Sequence, residues 1–121
     1  MAGVEKIIHK GKEVLYIDYH GTRSDEEMIE VLKTAQEIII KDNKEYLQLT
    51  DLRGSFATPG YMKAAKEVAK ETPKLAKKRA VVGVDSPARL ILLKAYNLIL
   101  GSETAIKPFK TIEEAKDWLV S

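Results

Sequence analysis

The sequence predicts an α/β domain: a mixed, mostly parallel five-stranded sheet with four covering helices, in the order ββαβαβαβα. Three observations carry this expectation. After an opening pair of strand-like runs, strand patterns alternate with segments of helical period, which is how a parallel sheet with covering helices reads. Each helical segment has a recognisable start. The 121 residues contain no linker, repeat or low-complexity run, so they make one domain, 1–121.

Val4–Ile8 and Glu13–Tyr19 flank Lys10-Gly11-Lys12, where glycine can supply the turn of a hairpin. The second run, VLYIDY, combines β-branched and aromatic residues and is the stronger strand. A helix follows over Asp25–Lys41. Ser24 is its N-cap and Glu27, three residues on, completes a capping box. Met28, Val31, Leu32, Ala35, Ile38 and Ile39 line one apolar face, and Asp42-Asn43 breaks the pattern. Tyr46–Leu52 is a third strand, ended by Arg53-Gly54.

Thr58-Pro59 opens a second helix, with proline at the first helical position. This helix carries Tyr61, Met62, Ala65, Val68 and Ala69 and stops before Pro73. Arg79–Val84, RAVVGV, is apolar almost throughout, as expected of a central strand. Ser86-Pro87 opens a third helix that Gly101 caps. Ala105–Phe109 is a short last strand whose Pro108 suits a sheet edge. Thr111 and Glu114 form a second capping box, and the last helix turns Ala115, Trp118 and Leu119 inward.

Composition narrows the chemistry. The chain is 45% hydrophobic and 31% charged, an ordinary globular balance. It has no cysteine, which removes disulfides, thiol catalysis, iron–sulfur clusters and cysteine–zinc sites together. Two histidines argue against a histidine-rich metal site, so neither metal nor cofactor is expected. The start, MAGVEKIIHKGKEV, has no apolar run of signal-peptide length, and Leu90–Leu100 is too short to span a bilayer. The expectation is a cytoplasmic protein with no stable membrane insertion.

The net charge of +2 gives no reason to expect nucleic acid, but it hides an asymmetry. Residues 1–60 hold 8 Lys and Arg against 11 Asp and Glu, and residues 61–121 hold 12 against 7. Much of the excess lies in Lys63, Lys66, Lys70, Lys74, Lys77, Lys78 and Arg79. Glu67 and Glu71 interrupt that run and no stacking aromatics accompany it, so it reads as a solvated helix face.

Ligands of open α/β sheets bind beyond the carboxyl ends of the strands. Here His20, Thr22 and Arg23 follow the second strand, Asp51, Arg53, Ser55 and Thr58 the third, and Asp85, Ser86 and Arg89 the fourth. If those strands are parallel neighbours, the three sets share one rim. Arginines and helix N-termini on that rim could hold an anion. The same serines and threonines equally serve as ordinary N-caps. His20, Asp51 and Ser55 can be drawn as a triad, yet no nucleophile-elbow pattern surrounds Ser55, so the reading is non-enzymatic.

The third helix, ARLILLKAYNLIL, offers a second feature. Its period buries Ile91, Leu92, Ala95, Leu98 and Ile99 and sets Leu90, Leu93 and Leu100 among Arg89, Lys94 and Asn97. Three leucines on a polar arc point to an interface, most simply a homodimer, or to the wall of an apolar pocket.

The segments LQLTDLRGS, RAVVGVDSPARLILLKAYN and KPFKTIEEAKDWL resemble the stand-alone STAS-like domains of bacteria and archaea, a family similar to anti-sigma-factor antagonists and to CRAL-TRIO lipid carriers. The resemblance runs from about Gly11 to the end of the chain. It rests on the hydrophobic pattern with Asp51, Arg53, Gly83 and Trp118. It implies a regulatory domain that binds a protein partner, a kinase or sigma-factor regulator, switched by phosphorylation near the start of the helix after the third strand. Ser55 and Thr58 are the candidates, although TDLRGSFATPG departs from the antagonists' aspartate–serine motif. The alternative is a carrier of a small apolar ligand such as a lipid.

Overall fold

Nine elements follow the expected order in the computed structural model, which describes residues 3–55, 59–71, 76–84, 86–100 and 106–121. They are β1 (Gly3–His9), β2 (Lys12–Asp18), α1 (Asp25–Asp42), β3 (Tyr46–Asp51), α2 (Pro59–Glu71), β4 (Ala76–Val82), α3 (Pro87–Leu100), β5 (Ile106–Phe109) and α4 (Ile112–Leu119). The strands lie in the sheet in chain order, β1 to β5. β1 pairs antiparallel with β2, and every other pair is parallel. The hairpin closes on a two-residue loop, Lys10 and Gly11, both at positive φ (50° and 81°), as a primed turn requires.

Successive parallel strands that step in one direction through right-handed crossovers put their helices on one face. On that face Leu15, Ile17 and Tyr19 of the β2 region pack against Met28, Val31, Ala35 and Ile39 of α1 and against Tyr61 and Ala65 of α2. The rings of Tyr19 and Tyr61 meet edge to face at 5.1 Å. α3 packs beside α2. α4 takes the opposite face, where Ala115 and Leu119 cover Val14, Leu49, Ala80 and Val82, and Trp118 lies 5.5 Å from Phe109. Strict alternation along β2 decides the division, with Val14 and Tyr16 on the α4 side and Leu15 and Ile17 on the α1 side.

The local signals act as their chemistry suggests. Ser24 accepts the Glu27 N–H at the start of α1, and Thr111 accepts the Glu114 N–H at the start of α4. Asn43 at φ 47° ends α1 and donates to Ile39 O.

Three expectations change. β4 begins at Ala76 and not at Arg79, because lysines serve as strand residues there. Lys78 reaches along the α4 face to donate to Trp118 O at 3.0 Å, with its ammonium 4.8 Å from the Trp118 ring centre. Arg79 is buried on the other face. The basic run is therefore split between two sides of the sheet and is not one solvated face. The third change concerns α3. Ile91, expected in its buried face, is 67% exposed, whereas Asn97, expected outside, donates to Ile106 O at 3.0 Å and accepts from Ile106 N at 2.8 Å. A polar residue that bonds backbone can turn inward, so hydropathy alone misplaced Ile91 and Asn97, while the side chains of Leu92, Ala95, Leu98 and Ile99 lie outside the described residues.

Candidate functional site

The carboxyl ends of β2, β3 and β4 do share one rim, because the three strands are parallel neighbours. Asp18, Asp51 and Val82 stand in one row across them. α4 descends from this rim toward the opposite end of the sheet. Its last residues meet the strand starts, where Lys12 donates to Val120 O and His9 bonds Asp117. Over β2 and β3 the rim end of that face is covered by side chains.

Asp51 is the centre of that cover and is fully buried. The Tyr16 hydroxyl donates to its Oδ2 at 2.6 Å. Arg53 donates from Nε to Oδ1 at 3.0 Å, from a terminal nitrogen to Oδ2 at 2.8 Å, and from its backbone N–H to Oδ1 at 3.0 Å. Burial by itself pushes the Asp51 carboxyl up. The hydrogen bonds from Arg53 and Tyr16 outweigh it and hold the group below the usual carboxylate range. Burial and the Asp51 bond push the Tyr16 phenol well above its ordinary value, so it remains a neutral donor. The Arg53 side chain is 51% exposed, with one flank on Asp51 and the other toward solvent.

The described part of the loop after β3, residues 52–55, is held by several hydrogen bonds. Leu52 N donates to Val82 O at 2.9 Å. Ser55 is buried, and its hydroxyl donates to Leu52 O at 2.7 Å. Arg89, at the start of α3, donates to Leu52 O at 3.2 Å, to Gly83 O at 2.9 Å and to Ser55 O. Gly83 makes the approach possible. It sits at φ +96°, and a Cβ there would lie 2.6 Å from Arg53 N and 2.7 Å from the Leu52 carbonyl carbon. Ser86 accepts the Arg89 N–H as an N-cap.

The loop after β2 is different. Its buried part is Thr22, whose hydroxyl donates to Tyr19 O at 2.7 Å. His20 is exposed, its backbone N–H held by Asp18 and its ring beside Gly54. Arg23 is exposed. Thr58 and Asp85 lie outside the described residues.

Asp51 and Ser55 are therefore committed to building the loop, and the drawn triad does not assemble around them. Among the described residues there is no group of three or more His, Asp or Glu that could hold a metal ion, and no helix is long and apolar enough to cross a membrane. On α3, Leu90 is 38% exposed and Leu93 half-buried, while the side chain of Leu100 is outside the described residues.

The roles of three residues emerge only in the structure. Tyr16 carried a usable signal, since strand alternation sets it on the same face as Asp51. Gly83 looked like part of an apolar strand, and Asn97 like a surface residue.

The comparisons agree with this architecture. A solved structure of an uncharacterized protein of the DUF3478 family from Shewanella loihica PV-4, described as having a SpoIIAA-like fold, superposes with a TM-score of 0.73 over 98% of this chain and 95% of its own, at 14% identity. No curated protein matches the sequence. The family model for SpoIIAA-like proteins matches residues 14–120. Five strands and four helices among the described residues, with a family match over residues 14–120, place this chain in the SpoIIAA-like family, as a STAS-like domain.

Proposed function

We propose that the chain is a non-enzymatic regulatory module that binds a protein partner through the rim at the carboxyl ends of β2–β4. The clamped β3–α2 loop carries this reading. Asp51 accepts from Tyr16 and Arg53, the Ser55 hydroxyl donates to Leu52 O, and Arg89 donates to the carbonyls of Leu52, Ser55 and Gly83, which favours a pre-shaped surface over an activated nucleophile. His20, Arg23 and the outer flank of Arg53 are the polar groups that this surface offers to a ligand, and their chemistry suits an acidic or phosphorylated segment of the partner.

The test is affinity capture on the immobilised chain, with wild type set against a His20→Ala, Arg23→Ala, Arg53→Ala variant. A partner held by wild type and lost by the variant supports the reading. Equal retention by both overturns it. Phosphorylation is examined on the same material with the partner kinase and ATP, read by mass spectrometry. The buried Ser55 hydroxyl predicts modification at Thr58 before Ser55, and no modification at either residue removes the switch.

A further inference from the structure

The two edges of the sheet are not alike. β5 is four residues long and contains Pro108, which has no N–H to offer, and the Asn97 side chain occupies both backbone groups of Ile106. That edge is closed to further pairing. β1 is seven residues long, keeps an unbroken register with β2 and has no proline. Among the described residues no strand pairs with its outer side.

Which backbone groups face outward follows from the hairpin. His9 and Lys12 close the two-residue loop, so they exchange hydrogen bonds, as do Ile7 with Val14 and Glu5 with Tyr16. The N–H and C=O groups of Val4, Lys6 and Ile8 therefore point away from the sheet. Ile8 is 68% exposed on the same stretch.

We infer that this edge receives a second copy of the chain, β1 against β1 in antiparallel fashion about a two-fold axis, so that one continuous sheet runs through both copies. Side chains select the register. Residues opposite each other must lie on the same face, which puts the axis on a residue near the middle of β1; Glu5 there would set two carboxylates directly opposite each other, leaving Lys6 or Ile7. An axis at Lys6 sets two lysines directly opposite each other. An axis at Ile7 sets Ile7 on Ile7, the exposed Ile8 on the aliphatic stem of Lys6, and the Glu5 carboxylate beside the His9 ring of the second copy. The second register buries apolar surface and pairs unlike groups, and it is the one assigned.

Sedimentation at high micromolar concentration and engineered cross-linking test the arrangement together. Lys6→Pro removes an outward N–H without touching a β1–β2 bond, so it yields a folded monomer, whereas Lys6→Ala remains a dimer. The chain has no cysteine, so single introduced cysteines report without background. Ile7→Cys, at the axis in a pair whose Cα atoms approach to about 4.5 Å, oxidises readily to a covalent dimer. Ile8→Cys is more exposed yet off the axis, and it cross-links more slowly. A monomeric wild type overturns the assignment. So does faster cross-linking of Ile8→Cys, which reports random collision. A dimer that survives Lys6→Pro but dissociates in Leu90→Glu moves the interface to α3 and overturns it equally. Should Lys6→Pro fail to fold, the order of the two cysteine rates decides alone.

Discussion

The two loops of the rim are built from similar residues and behave differently. The loop after β2 reads Tyr19-His20-Gly21-Thr22-Arg23, and the loop after β3 reads Leu52-Arg53-Gly54-Ser55. Each has a glycine at positive φ, a buried hydroxyl bonded three residues back, and an arginine. Both are tied to the next strand by a backbone bond, Tyr19 N to Asp51 O at 2.8 Å and Leu52 N to Val82 O at 2.9 Å, but the second is gripped further, by Gly83 beneath it and Arg89 across it. A residue's type at a strand end therefore says little about whether it serves a ligand or its own loop. The neighbouring elements decide, and here Gly83 and Arg89 add that grip to β3's loop.

The sharpest way to break this contrast is at glycine. Gly83→Ala forces a side chain into positive φ and into the backbone of Leu52 and Arg53, and it is expected to cost about 3 kcal/mol or more in urea denaturation. Gly21→Ala has the same unfavourable φ, +80°, but nothing within 4 Å of the added Cβ. It is expected to cost only about 1 kcal/mol. Equal losses at the two positions would mean that backbone conformation, and not the grip at Gly83, distinguishes the loops.

Asp51 comes next. Asp51→Asn keeps the shape and loses the charge that Arg53 and Tyr16 share, at an expected cost of about 2 kcal/mol near neutral pH. Because the folded carboxyl lies below its ordinary value, its contribution is complete above the unfolded value, about 3.9, and is lost as pH falls through the folded one. Wild type should lose stability below about pH 4 more steeply than Asp51→Asn, bringing the two curves together in acid. Parallel curves would show that Asp51 is not titrating as a paired carboxylate.

Features whose physics is local were legible in the residues alone. Ser24 and Thr111 sit next to the N–H groups they accept from, and the alternation in VLYIDY needs no knowledge of the rest of the chain. The rim itself was legible once the strands were taken as parallel neighbours. What joins distant positions was not. Arg89 was a rim candidate, yet its task, clamping carbonyls 34 and 37 residues away, depends on the β3–β4 pairing. Asn97 reads as solvent-facing because its partner, Ile106, lies nine residues on in β5, a pairing that hydropathy does not register. Gly83 fits both an apolar strand and a close backbone crossing, and only the neighbouring loop separates the two.

Ser55→Ala is a finer probe of the clamped loop. It removes one hydroxyl bond while Leu52 O keeps Arg89 and the Ser55 N–H as donors, so a loss of about 1 kcal/mol is expected. Thr22→Ala removes the corresponding bond to Tyr19 O, but it also strips a methyl group from a fully packed position, and it should cost somewhat more. The reverse order would place the greater share of loop stability in the hydroxyl bond itself.

The smallest expected effect is the most informative about function. His20→Ala and Arg23→Ala, singly or together, alter exposed side chains, and the hydrogen bond that His20 gives the loop comes from its backbone N–H, which alanine retains. Their stability cost should stay within about 0.5 kcal/mol, read as an unchanged denaturation midpoint. A surface that tolerates such changes without loss of fold is free to be shaped by what it binds, whereas Arg53 is constrained on one flank by Asp51. If the double variant instead loses as much stability as Ser55→Ala, the β2–α1 loop is held by its side chains as firmly as its neighbour. The two halves of the rim would then be one structural unit, and the division between loop-building and ligand-facing residues would run through Arg53 alone.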